Sequence, residues 1–194
     1  MKQPLAQEGG DLKLNEIYLA IISRYKDYIE EKEEISVAEL PRLVTPRGTN
    51  VVEIVSEIRD AFDPYVYENN FNRAAKIAYD FVHDKVREIN LPLQFWLTPD
   101  ETIKFMAGDR IDRSILLCSM LISLGNPSSK VLVAIKERRR DAYVYFSFSN
   151  KYHIIDIENG ISSHASRDEM ISSLEINEDG TAYEFNDKSY ADIF

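Results

Sequence analysis

Arg110 stands where an apolar run begins, in Gly-Asp-Arg-Ile-Asp-Arg-Ser at residues 108–114. A helix N-terminus is already positive, so a cation held there calls for carboxylates nearby. The guanidinium stays protonated and serves neither as nucleophile nor as base. What it does well is grip carboxylates, with two parallel N–H donors. The other reactive residue types are few. Cys118 is the single cysteine, two helical turns beyond Arg110 and set among Leu116, Leu117, Met120 and Leu121. In that company it is expected to be an inert core thiol, and it excludes an internal disulfide. His83, His153 and His164 lack metal-ligand spacing, so no metal and no cofactor is expected. His153 and Asp156 lie three apart on a strand and therefore point to opposite faces, which rules out a simple dyad. "KERRR", residues 136–140, is the one concentrated basic patch. It reads as a solvated hairpin tip, with docking of an acidic partner as the alternative.

Composition limits the partners. The chain has 194 residues, 44% hydrophobic and 29% charged, enough for one domain with a real core. A net charge of -10 argues against nucleic acid and against an anionic membrane surface. The N-terminus lacks the apolar core of a signal peptide, and no apolar run is long enough to span a bilayer. A cytoplasmic protein is the expectation.

The elements around Arg110 follow from periodicity. Residues 1–11 are expected to be a disordered tail. From Leu12 to Ile29 apolar residues recur at helical spacing, fading into the charge run "EEKEE", a solvated face. Two prolines and a glycine make 36–50 a connector around a short helical turn. Asn50 is the expected N-cap of a helix over about 51–62. A longer helix is expected over 71–89, burying Ala74, Ala75, Ile77, Ala78, Phe81, Val82 and Val86. Thr98, Pro99 and Glu101 form a capping box with proline at the first helical position. Gly108 should end that short helix, and Asp109 or Arg110 should open the next. The run "IDRSILLCSMLISLG" is apolar nearly all round, which predicts a central buried helix stopped at Gly125. The period then changes to two. "KVLVAIK", "DAYVYFSF" and "KYHIIDIE" are expected strands, with Tyr143, Tyr145, Phe146 and Phe148 in the sheet core. Ser166 and Glu169 suggest a second capping box. "TAYEF" is a last short strand after a turn at Asp179-Gly180. Helices followed by an antiparallel sheet make an α+β fold. The domain reading is a tail at 1–11, a helical region at 12–69 and the main domain at 70–194, the last two forming one compact unit.

"FWLTPDETIKFMAGDRIDRSILLCSMLISLG", then "DAYVYF", then "YHIIDIENG", resembles the transglutaminase-like superfamily, whose fold is related to papain-like cysteine proteases. The family pattern is a Trp and a Pro-x-Glu-Thr stretch, then Gly-Asp-Cys-x-Asp opening an apolar helix. A strand beginning His-Ala-aromatic-Val follows, and a further strand carries an Asp. The resemblance covers about 74–160. It implies N-terminal helices and a central buried helix packed on an antiparallel sheet. It also implies a cysteine whose thiolate is stabilised at a helix N-terminus, with a histidine base oriented by the aspartate. Trp96, Pro99, Glu101, Thr102, Gly108, Asp109, Asp112 and Ser114 match the frame. The cysteine position holds Arg110 and the histidine position holds Asp141, while Asp156 is kept.

The thiol chemistry is therefore expected to be absent, with Arg110, Asp141 and Asp156 standing as a charge cluster in place of the triad. The cluster is expected to brace the old active site. In the alternative, Arg110 faces solvent and pairs locally with Asp109 or Asp112. The function expected is that of an inactive relative, not an enzyme, binding a protein or peptide through Trp96, Arg110, Asp141, Tyr143 and Asp156. The alternative is a hydrolase or transferase using Asp141 and Asp156 as acid and base, with Arg110 stabilising an anion.

Overall fold

A computed structural model describes residues 8–32, 37–89, 95–136, 139–174, 176 and 181–193. The chain divides into two units: residues 1–34 with 90–96, and residues 35–89 with 97–194. The helical region anticipated at 12–69 is thus shared between them. In the smaller unit, α1 spans Glu8–Arg24 and α2 spans Lys26–Lys32. Helix begins at Glu8, inside the segment expected to be a tail, and residues 1–7 of that segment lie outside the described residues. The single helix expected to reach Ile29 is broken at Tyr25.

The larger unit is built around one buried helix. After a 3-10 turn at Val37–Leu43 come α3 (Thr49–Asp60), α4 (Tyr67–Lys85) and the short β1 (Arg87–Glu88). Next are α5 (Pro99–Phe105), β2 (Ala107–Gly108) and α6 (Arg110–Ser123). From Ile111 through Leu121 every residue of α6 is buried, as its all-round apolar character requires. The remaining elements are β3 (Lys130–Lys136), β4 (Arg139–Phe148), β5 (Lys151–Asp156), β6 (Gly160–His164), α7 (Arg167–Ser172), β7 (Thr181–Phe185) and β8 (Tyr190–Asp192). The six strands β3–β8 form one antiparallel sheet in the order β6-β5-β4-β3-β7-β8. The fold is α+β. Helix α6 packs on β3 and β4, while Met170 and Ile171 of α7 join Leu132, Ala134, Tyr145 and Ile154. With both faces covered, Val131, Leu132, Val133 and Ala134 are all fully buried.

Several boundaries differ from the sequence expectation, each for a local reason. Asn50 does not cap α3. The N-cap is Gly48, and Asp100 caps the helix from outside, accepting from the Thr49 amide at 3.0 Å and the Asn50 amide at 3.1 Å. A Cβ on Gly48 would meet Asp100 Oδ1 at 2.6 Å, so glycine admits this carboxylate. Helix α4 starts at Tyr67, ahead of the expected start at residue 71, and there the Asn70 side chain accepts from the Val66 amide at 2.7 Å. It buries Phe71 and Tyr79, while Ile77 is exposed and Phe81 only partly covered. It stops at Lys85 because the next residues pair: Arg87 donates to Met106 O and Ile89 to Gly108 O. The capping box at Thr98 and Glu101 forms, with Pro99 first in α5. That helix ends on Met106 in the left-handed conformation, ahead of the expected stop at Gly108. Strands β6 and β8 were not anticipated. Around α7, Ser166 accepts from the Glu169 amide, but the Glu169 carboxylate returns to Ala165, so the box is displaced by one residue. The expected turn at Asp179-Gly180 lies outside the described residues, as do residues 90–94 and the centre of the basic tip, residues 137–138.

Candidate functional site

The start of α6 is fixed by two aspartates. Asp109 is the N-cap, accepting from the amides of Ile111 and Asp112 at 2.8 Å each. Asp112 returns the bond to the Asp109 amide at 3.0 Å and takes the Leu97 amide at 2.9 Å. Both carboxylates are pushed up by burial; Asp112, further raised by the charge of Asp109, reaches about 7. Gly108 is required here, since a Cβ would lie 2.8 Å from Asp112 Cβ. The parallel pair β1–β2 sets Glu88 opposite Gly108, two residues before Arg110.

Arg110 therefore meets Glu88 as well as Asp141. Its Nε donates to Glu88 Oε1 at 3.2 Å and its Nη1 donates to Asp141 Oδ1 at 3.3 Å. Burial works against its charge, but the Glu88 hydrogen bond and the fields of Glu88, Asp141 and Asp156 outweigh that and hold its pKa above the ordinary value. The side chain is 36% exposed and that of Asp141 11%, so the pair lies at the edge of solvent.

Asp156 sits elsewhere than the expected brace required. Among the described residues it makes no hydrogen bond to Arg110. Its carboxylate accepts from the amides of Glu158 at 2.9 Å and Asn159 at 3.2 Å, and from Asn159 Nδ2 at 2.6 Å. It is the residue that closes the β5–β6 turn. That turn presents Glu158, which binds a second arginine.

That arginine, Arg113, is the deep member of the site. One turn after Arg110 on the same face of α6, its side chain is only 3% exposed. Nη1 donates to Glu88 Oε2 at 3.2 Å and to Glu158, and Nη2 donates to the Val82 carbonyl at 3.4 Å. Its Nε is buried without a partner among the described residues. The Arg113 hydrogen bond holds the Glu158 carboxyl below its ordinary value. The connected set is Asp141–Arg110–Glu88–Arg113–Glu158. Sequence reasoning missed Glu88, Arg113 and Glu158. The available signal was Arg113 itself, a cation inside an otherwise apolar helix, three residues from Arg110.

The remaining candidates fall outside this network. Trp96 is half-buried and belongs to the smaller unit. Tyr143 is half-buried on β4 and packs beside Tyr145 and Ile154 on the α7 face. Cys118 is fully buried, and burial pushes its thiol up. His153 stacks on Phe146 with centroids 4.9 Å apart, its Nδ1 2.8 Å from Ser163 Oγ, and burial lowers its pKa. Among the described residues no three His, Cys, Asp or Glu side chains are grouped to hold a metal ion. None of the described helices is long and apolar enough to cross a membrane. A second buried polar cluster lies across the sheet. There Glu184, 5% exposed, accepts from Lys130 at 2.6 Å, Tyr145 at 2.6 Å and Arg167 at 2.7 Å.

No sequence-family model and no curated protein matches the chain. Solved structures do. Legionella pneumophila LapG aligns at 16% identity over 82% of this chain and 88% of its own, with a TM-score of 0.53. EGTA-treated LapG from the same organism aligns at 16% identity over 82% and 86%, with a TM-score of 0.52. At that identity the likeness shows the fold alone: this chain has the transglutaminase-like, papain-type fold.

Proposed function

We propose that the chain is a non-catalytic protein of the transglutaminase-like fold, acting in the cytoplasm by binding a protein or peptide. The observation that carries this reading is the position of Arg110. At the first residue of the central helix, where the family's nucleophile would stand, a permanently protonated guanidinium is tied to Glu88 and Asp141. The one thiol is far from usable, being buried in the core and held protonated. The changed-chemistry alternative draws little support, because Asp141 is engaged by Arg110 and Asp156 by its own turn. With no chemistry left to perform, a retained fold of this kind serves by its surfaces.

The test has two arms. Wild-type protein and the Asp141→Asn and Asp156→Asn variants are assayed for hydrolysis and transamidation of casein. No turnover is expected from any of them. Wild-type turnover abolished in either variant would establish the enzyme instead. In the second arm the full chain is probed against an array of extended peptides. Binding to a subset is expected, and failure to bind any at millimolar concentration would end the binding reading.

A further inference from the structure

The sheet has two edges, and they are finished differently. The β8 edge is three residues long, ends in Asp192 and packs against the 3-10 turn at Val37–Leu43. The β6 edge, "GISSH", is five residues long. It carries no proline and no lysine, the residues that usually blunt an edge against strand addition. Ile161, Ser162 and Ser163 are exposed, Ile161 to 40%.

Beside this edge, on the α7 face, lies a cavity of about 220 Å³. Tyr143, Ile154 and Leu174 supply its apolar wall, and Asp156 and Ser162 supply polar groups. Asp156 has no ion-pair partner among the described residues; the two hydrogen bonds of Arg110 go to Glu88 and Asp141. Arg167, the first residue of α7, is committed to Glu184. Acidic side chains, Asp168 and Glu169, line the first turn of α7, which packs on β6.

We propose that β6 accepts an extended basic segment of another protein as an added antiparallel or parallel strand, with one lysine side chain entering the cavity and its ammonium meeting Asp156. An added strand lies about 4.8 Å outside β6, so only a long side chain spans the distance back to the cavity. Lysine does so with an aliphatic stem for the Tyr143 and Leu174 wall and a charge for the carboxylate. Main-chain pairing along β6 supplies affinity, and the cavity supplies selection. This inference rests on the binding reading above and names its partner chemistry.

The experiment uses the full chain and a fluorescein-labelled nine-residue peptide of alternating lysine and threonine. Its controls are the glutamate-for-lysine peptide and a peptide with proline at every threonine. Fluorescence anisotropy should show binding of the first peptide only. Amide hydrogen exchange should show new protection at residues 160–164. Asp156→Asn should weaken binding up to about fivefold, the range of a partly exposed ion pair. Because Asp156 also closes a turn, Leu174→Trp, which fills the cavity without touching that turn, provides an independent loss. Equal binding of the glutamate peptide, binding of the proline peptide, or protection away from β6 would overturn the inference. Protection elsewhere on the chain leaves the general binding reading standing. Failure on the whole peptide array overturns both.

Discussion

Arg113 carries more of the stability of the charge network than Arg110, because it is the one taken out of water. Its side chain is 3% exposed, against 36% for Arg110. Removing this buried side chain deletes its bonds to Glu88, Glu158 and the Val82 carbonyl and empties the space it fills. Arg113→Ala should therefore cost about 3–5 kcal/mol in urea denaturation. Arg110→Ala should cost only about 1 kcal/mol, since its guanidinium is itself partly hydrated and its two long bonds lie at the edge of solvent. A larger loss at Arg110 than at Arg113 would show the brace to be centred on the outer pair. Glu184 makes the corresponding prediction for pH. Burial works to raise its pKa, but hydrogen bonds from Lys130, Tyr145 and Arg167 hold it below its ordinary value. The folded carboxyl thus releases its proton more readily than the unfolded one. Its contribution is fully present above the unfolded pKa of about 4.3 and is lost as pH falls through the lower folded value. Melting temperatures of Glu184→Gln across the acid range should fall less steeply than those of the wild type.

At the scale of elements, the links that matter join helix ends to groups distant in sequence. Asp100, in the first turn of α5, satisfies the orphan amides at the start of α3. Asp100→Ala should cost about 1–2 kcal/mol, the usual worth of an N-cap, and should release the α3 amides to fast hydrogen exchange. Unchanged exchange at Thr49 and Asn50 would refute the cap. The same economy holds at β1–β2, a two-residue parallel pair whose effect is to set Glu88 beside α6. Asp156 likewise acts through an element: it closes the β5–β6 turn, and that turn carries Glu158 to Arg113.

For the whole molecule, the central strand β3 is completed by β7, some 50 residues later in the chain. A chain ending after residue 174 would leave the Val131–Ile135 edge unpaired and Phe185 missing from the core. It should lose the single cooperative thermal transition and expose apolar surface to a fluorescent dye. A sharp, wild-type-like transition would show that β7 and β8 are accessory. Cys118 offers a milder probe of the intact core. It should resist a thiol reagent in the native state and react fully in guanidinium chloride, because it is fully buried.

Much of this was legible in the sequence because it is local. The all-apolar run from Ile111 predicted the central helix, alternating residues predicted β3, β4 and β5, and Thr98-Pro99-x-Glu101 predicted the start of α5. Arg110 beside Asp141 followed from the resemblance and is what the structure shows. What the sequence left open depends on distant partners. The cap of α3 comes from Asp100 and not from Asn50. The end of α4 is decided by pairing with 106–108. β6 and β8 are too short and polar to announce themselves and form only because a neighbour offers a ladder. The charge network is the clearest case. Spacing could place Arg110 and Arg113 on one helix face, but only tertiary folding brings Glu88 and Glu158 to them and diverts Asp156 to its turn. A carboxylate binds whichever cation or amide the fold sets within about 3 Å, and that distance is decided by the packing of whole elements.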